Sequence, residues 1–217
     1  MSFTMMHLIV ARKMTEDYPN LVSDLPQYYL GAIAPDAVHN RENYVSDFKK
    51  KSHLHVCDVE WGRCTSYDEH TANTVVFLKE HEYSDRRDFV YGYVIHVLCD
   101  ICNNKYIWQP FLRKHPEEWG KGYGNLNHQE DGLMDLWLCQ TYEHKDEIWA
   151  ALEKAEAFDF EGLVSKDETE RQRQNILRVW YSALAETDIS GNTLHTPESE
   201  REFIDMAASF IAGALGL

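Results

Sequence analysis

The chain has 217 residues, enough for one large core, and nothing in its composition argues for a second, so a single domain over 1–217 is expected. Asp and Glu outnumber Lys and Arg by 36 to 21, a formal charge of −15, which disfavours nucleic-acid backbone and anionic lipid as partners. Aromatic residues make up 12% and only six prolines interrupt the chain, which suits a folded, mostly helical protein and excludes a disordered one.

The start, MSFTMMHLIVARKM, has no basic segment before its short apolar run and no small-residue cleavage pattern after it. No run reaches membrane-spanning length, and the cysteine count is odd at five, so a cytoplasmic protein is expected. Cys57 and Cys64 are close enough to bridge in an oxidising medium and are read as free thiols in a reducing one. Cys99 and Cys102 lie inside an apolar helix and read as buried core thiols.

In chain order, Thr4 is expected to cap a first helix over 5–14, whose apolar residues surround one imidazole, His7. Asp24 opens a second helix with Pro26 in its first turn, and Pro35 ends it, leaving Asp36 on a tight turn at the exit of an apolar segment. Residues 40–51 are polar and basic and read as a surface loop or a short solvated helix, Lys49, Lys50 and Lys51 included. His53 and His55 follow around one leucine, then irregular chain over 58–66 and a third helix over 68–82 with Val75, Val76 and Leu78 to the core.

The stretch 89–111, FVYGYVIHVLCDICNNKYIWQPF, is apolar on nearly every side of a helical wheel and reads as a central buried helix. Inside it His96 and Asp100 are four residues apart, so one helical turn stacks them on one face. After 111 a glycine-rich loop is expected, then a helix beginning near His128 that carries Asp131 and Asp135, with Asp135 facing inward. Helices over 146–157, 167–185 and 197–217 complete an all-α, single-domain helical bundle.

A buried carboxylate without a partner is costly, and no Lys or Arg lies between Arg87 and Lys105 to balance Asp100. A divalent metal ion is one answer, since imidazole and carboxylate ligate zinc, manganese or iron; a hydrogen-bonded structural pair is the other. His7, Asp36, His53, His96 and Asp100 are spread over four segments, each set in or beside an apolar stretch, and metal sites in helical bundles are built from such inward side chains. The pattern favours metal.

The order of a His in the first helix, GAIAPD, KKKSHLH and GYVIHVLCD resembles the zinc-dependent phospholipase C family, which is distantly similar to fungal zinc nucleases. The resemblance spans roughly residues 5 to 110. It implies an all-helical fold that hydrolyses phosphodiesters at a zinc cluster, with Asp36, His53, His96 and Asp100 as ligands of one zinc and His7 with a shared Asp100 as part of a second. His55 stands in reserve for His53. The family's further His beyond HxxxD and its HxxxE pair are absent; this chain has NNKYIWQPF and HQEDGLMD, where His128, Asp131 and Asp135 are the substitutes on offer.

The expected function is therefore a metal-dependent phosphoesterase acting on a small phosphate ester through one or two ions, with Asp36 orienting a water or taking its proton. The alternative is a non-catalytic helical protein of the same fold with a structural or binding metal. An HD-type phosphohydrolase is disfavoured because no adjacent His-Asp pair occurs, and neither GxSxG nor a phosphate-binding glycine loop is present.

Overall fold

The computed structural model describes residues 3–59, 61–182 and 185–217. Among them are ten α-helices and no β-strand. They are α1 (Thr4–Asp17), α2 (Leu25–Ile33), α3 (Ser46–Ser52), α4 (Tyr67–Glu80), α5 (Arg87–Asn103), α6 (Gln109–Lys114), α7 (Leu126–Thr141), α8 (Lys145–Lys154), α9 (Lys166–Gln174) and α10 (Pro197–Leu215). The expected all-α architecture is present. No described helix is long and apolar enough to cross a membrane.

α5 is the central element because its sequence is apolar all round: from Phe89 to Asn103 every residue except Tyr91 is buried. Each large apolar side chain so buried contributes roughly 1.5–3 kcal/mol. α1, α2, α4 and α10 pack on it, and α2 lies closest. Two glycines permit that approach: a Cβ on Gly92 would stand 1.9 Å from the Tyr28 carbonyl oxygen, and one on Gly31 would stand 2.0 Å from that of Phe89. With hydrogen at both positions the two backbones meet, which carries the Ala32 carbonyl to His96.

The helical run does not end with α5. It passes through one widened π turn, Asn104–Trp108, into α6 and so continues to Lys114, beyond the expected end at 111. Pro110 falls in the first turn of α6, where proline is best tolerated in a helix.

α7 is tied to the chain before α10 by Glu130, whose carboxylate accepts from the backbone N–H groups of Thr193, Leu194 and His195. Capping boxes at Ser165 and Thr196 start α9 and α10. Arg41 pairs with Glu168, joining α9 to the turn that follows α2.

Five expectations need correction. Thr4 does not cap α1; the helix already includes it, and the buried first-turn N–H of Met5 donates to Asp135 Oδ1 at 2.7 Å, from α7. In α4 the inward residues are His70, Thr74 and Leu78, while Val76 is exposed, because the helix is rotated so that its polar face reaches the chain after α3. Residues 46–52 form a helix, yet Lys49 is buried at 4% exposure and not solvated. Cys57 and Cys64 are joined in a disulfide, their Cα atoms 6.1 Å apart, within the ordinary bridging range. The helix expected over 167–185 ends as α9 plus a π turn at Trp180, and 183–184 lie outside the described residues, as does residue 60 of the irregular segment.

Candidate metal centre

The chain brings His7, Asp36, His53, His96 and Asp100 into one buried cluster. His7 comes from α1, Asp36 from the tight turn Pro35–Asn40, His53 from the residue ending α3, and His96 and Asp100 from one face of α5. His53 Nε2 is 3.3 Å from Asp36 Oδ1 and 3.5 Å from Asp100 Oδ2. His7 Nε2 is 3.5 Å from Asp100 Oδ1, and the His7 and His96 rings stack at 3.6 Å. Two triplets have donor atoms close enough to hold an ion, His7–His96–Asp100 and Asp36–His53–His96.

Backbone carbonyls dictate which ring nitrogens carry protons. The Ala32 carbonyl is 2.7 Å from His96 Nδ1 and the Lys49 carbonyl is 3.0 Å from His53 Nδ1; a carbonyl only accepts, so both Nδ1 atoms donate. In a neutral imidazole that leaves Nε2 with a lone pair. The two Nε2 atoms face each other at 3.3 Å and look toward the carboxylates. Burial holds the His53 pKa down to about 3, with Lys49 adding to the effect, and burial also lowers His96, so both rings are neutral near pH 7.

His7 adds to the same imbalance. Burial, with His96 next, holds its pKa to about 3, and neither of its ring nitrogens has a hydrogen-bond partner among the described residues. A buried nitrogen in that condition costs about 1–3 kcal/mol. Converging neutral imidazoles and ionised carboxylates are the donor set that divalent zinc, manganese and iron take.

Lys49 is the residue that sequence reasoning missed. Its ammonium lies 2.8 Å from Asp36 Oδ1 and 3.7 Å from Asp100 Oδ2, and it supplies the positive charge that the sequence of α5 lacks. Burial raises the pKa of Asp36 and Asp100, but Lys49 together with the neighbouring imidazoles outweighs burial and holds both below the usual carboxylate range. Lys49 itself is raised, the two carboxylates outweighing burial. Two carboxylates against one ammonium leave one negative charge over. The signal was in the spacing: Lys49, Ser52 and His53 lie at i, i+3 and i+4, one face of a helix.

Hydrogen bonds from other elements fix this face. Ser52 Oγ donates to the Pro35 carbonyl at 2.8 Å, Tyr93 donates to the Ser52 carbonyl, and His70 Nε2 donates to the His53 carbonyl at 2.8 Å. A cavity of about 370 Å³ opens beside Asp36 and His39, walled on its apolar side by Phe3, Leu136, Trp180 and Tyr181. Asp36 is the ligand candidate that reaches this space, its side chain 19% exposed where that of Asp100 is 0%.

The reserve residues go elsewhere. His55 bonds the Cys57 carbonyl through Nδ1 at 2.9 Å. His128 lies against Phe3, Trp108 and Asn125; Asp131 faces His195; and Asp135 bonds Met5 N and the Tyr181 hydroxyl. None of these three belongs to a group of donor atoms spaced for an ion among the described residues.

No protein-family model, no curated protein and no solved structure matches this chain.

Proposed function

We propose that the chain is a metal-dependent phosphoesterase of the zinc-dependent phospholipase C type. The observation that carries the reading is that the Nε2 atoms of His53 and His96 meet at 3.3 Å beside the carboxylates of Asp36 and Asp100, with each ring's Nδ1 against a backbone carbonyl. His53, His96, Asp36 and Asp100 would hold one ion. Asp100, with Oδ2 toward His53 and Oδ1 toward His7, would serve a second. A divalent ion held there, zinc by the donor set, would supply acidification of water toward neutral pH and positive charge for phosphate oxygens.

The remaining work falls to the chain's own residues. Asp36, at the cavity wall, would orient the attacking water and take its proton. The apolar wall of Phe3, Leu136 and Trp180 would hold an aryl or alkyl group on the ester and exclude water around it. Lys49, freed from part of its carboxylate pairing when an ion arrives, would be available to the phosphate.

One observation favours a second reading, a non-catalytic helical protein: Lys49 already offsets one of the two buried charges. The deciding experiment is metal content per chain by plasma mass spectrometry on untagged protein purified without added metal, alongside Asp100→Asn, followed by a bis(4-nitrophenyl) phosphate assay. One to two equivalents, lost in the variant, with turnover by the loaded protein, would support the phosphoesterase. Metal without turnover would support the second reading. No metal after incubation with zinc, manganese or iron would overturn a metal centre.

A further inference from the structure

We propose that His55, Cys57 and Cys64 form a second, sulfur-containing metal site that exchanges with their disulfide. The three side chains offer one imidazole nitrogen and two sulfurs, all within 4.8 Å of one another. None of these atoms belongs to the histidine and aspartate cluster, so the inference stands independently of the phosphoesterase reading.

The donor chemistry selects the ion. Two thiolates and an imidazole suit a borderline-soft divalent ion such as zinc or cobalt, whereas magnesium and calcium take oxygen. Thiolates on a tetrahedral zinc stand about 3.8 Å apart, because each Zn–S distance is about 2.3 Å. The Cα atoms of Cys57 and Cys64 are 6.1 Å apart, so rotation about their side-chain bonds spans the change from bonded sulfurs to that separation.

The surroundings also fit. A space of about 10 Å³ is bounded by His55, Cys64, Tyr67, His70, Ile101 and Asn104. The His70 ring stands edge to face with that of His55, centroids 5.4 Å apart, and its Nε2 is held by the His53 carbonyl, which leaves the fourth position to water. Cys64 is buried at 3% exposure, whereas Cys57 and His55 are part-exposed, so an ion or a reductant enters from one side.

The exchange balances with a dithiol reductant. It delivers two electrons and two protons to the Cys57–Cys64 bond, the S–S bond breaks to two thiols, and the reductant becomes a disulfide. Binding of the divalent ion then releases both thiol protons to solvent.

The test uses the full chain, reduced anaerobically with a phosphine and compared with the reoxidised protein, each loaded with zinc for metal counting and with cobalt for absorption. The reduced protein should hold one more equivalent than the oxidised one and show a near-ultraviolet thiolate-to-cobalt charge-transfer band, which nitrogen and oxygen ligands do not produce. Cys64→Ser should lose both while keeping the metal that Asp100→Asn removes. Equal metal content in the two redox forms with no charge-transfer band would overturn the proposal. If Cys64→Ser fails to fold, the redox comparison in the unmodified chain decides by itself. If the first centre binds nothing, the sulfur band still reports this one.

Discussion

His53 and His96 meet Nε2 to Nε2 at 3.3 Å, with each ring's Nδ1 donating to a main-chain carbonyl. Two lone pairs at that separation repel unless a proton or a cation lies between them, and burial works against the proton. Substitution should therefore remove metal in a residue-specific way. His96→Ala and Asp100→Asn should each lose bound zinc, while Asp205→Ala, an exposed carboxylate, should keep it. In thermal melts, zinc at about 100 times its Kd should stabilise the unmodified chain by roughly 2.7 kcal/mol and leave the two site variants unmoved. Equal zinc shifts in all four proteins would count against the centre.

Lys49→Met tests whether the ammonium and a bound ion neutralise the same two carboxylates. Without metal, the variant leaves Asp36 and Asp100 uncompensated in the interior, and breaking such a buried pairing costs about 3–5 kcal/mol. Saturating zinc should return most of that loss, because the ion takes over the neutralising charge. Urea unfolding with chelator and with zinc measures the difference. A loss that zinc does not recover would mean that Lys49 and the ion do not share the same carboxylates.

Much of this was legible in the sequence, and the exceptions have physical causes. The all-round apolar pattern of 89–111 marked the central helix, though not the π turn that interrupts it, and the i, i+4 spacing of His96 and Asp100 placed both on one face, since these are properties of a single helix. Lys49 was legible only through its i, i+4 spacing to His53, because three consecutive lysines look alike until the helix is phased against its neighbours. The start of α1 was misread for a similar reason: the acceptor for Met5 N is Asp135, 130 residues away. The Cys57–Cys64 bridge depends on a turn whose geometry no periodicity reports.

Gly92→Ala tests whether the α2–α5 contact positions the centre. On an isolated helix the change would stabilise by up to about 1 kcal/mol. Here the added Cβ would meet the Tyr28 carbonyl oxygen at 1.9 Å, a backbone atom that cannot swing aside, and overpacking of this kind costs about 1–3 kcal/mol or more. The clash should win, lowering the unfolding midpoint. Parting the helices also draws Ala32 away from His96 Nδ1, so zinc affinity should fall in the same variant. A stabilised variant with unchanged zinc affinity would show that the helices have room to spare.

Asp131 gives a pH prediction with a definite sign. It lines a cavity of about 40 Å³ with Asn103, His195 and Glu200, and its Oδ2 has no hydrogen-bond partner among the described residues. Burial raises its pKa to about 7, against the lowering effect of His195, with Glu200 and Asp135 adding to the rise. The unfolded chain therefore ionises this carboxyl first, and stability falls as pH rises from about 4 toward 7. His7 and His53, depressed to about 3, slope the other way, since the unfolded chain protonates them first on acidification below about 6.5. That contribution is common to Asp131→Asn and the unmodified chain and cancels in their difference. Urea midpoints with chelator present should show the Asn variant gaining on the order of 2 kcal/mol relative to the unmodified chain between pH 4 and 6.5, since each pKa unit is worth about 1.4 kcal/mol. Parallel stability curves over that range would mean that Asp131 is ionised in the folded protein.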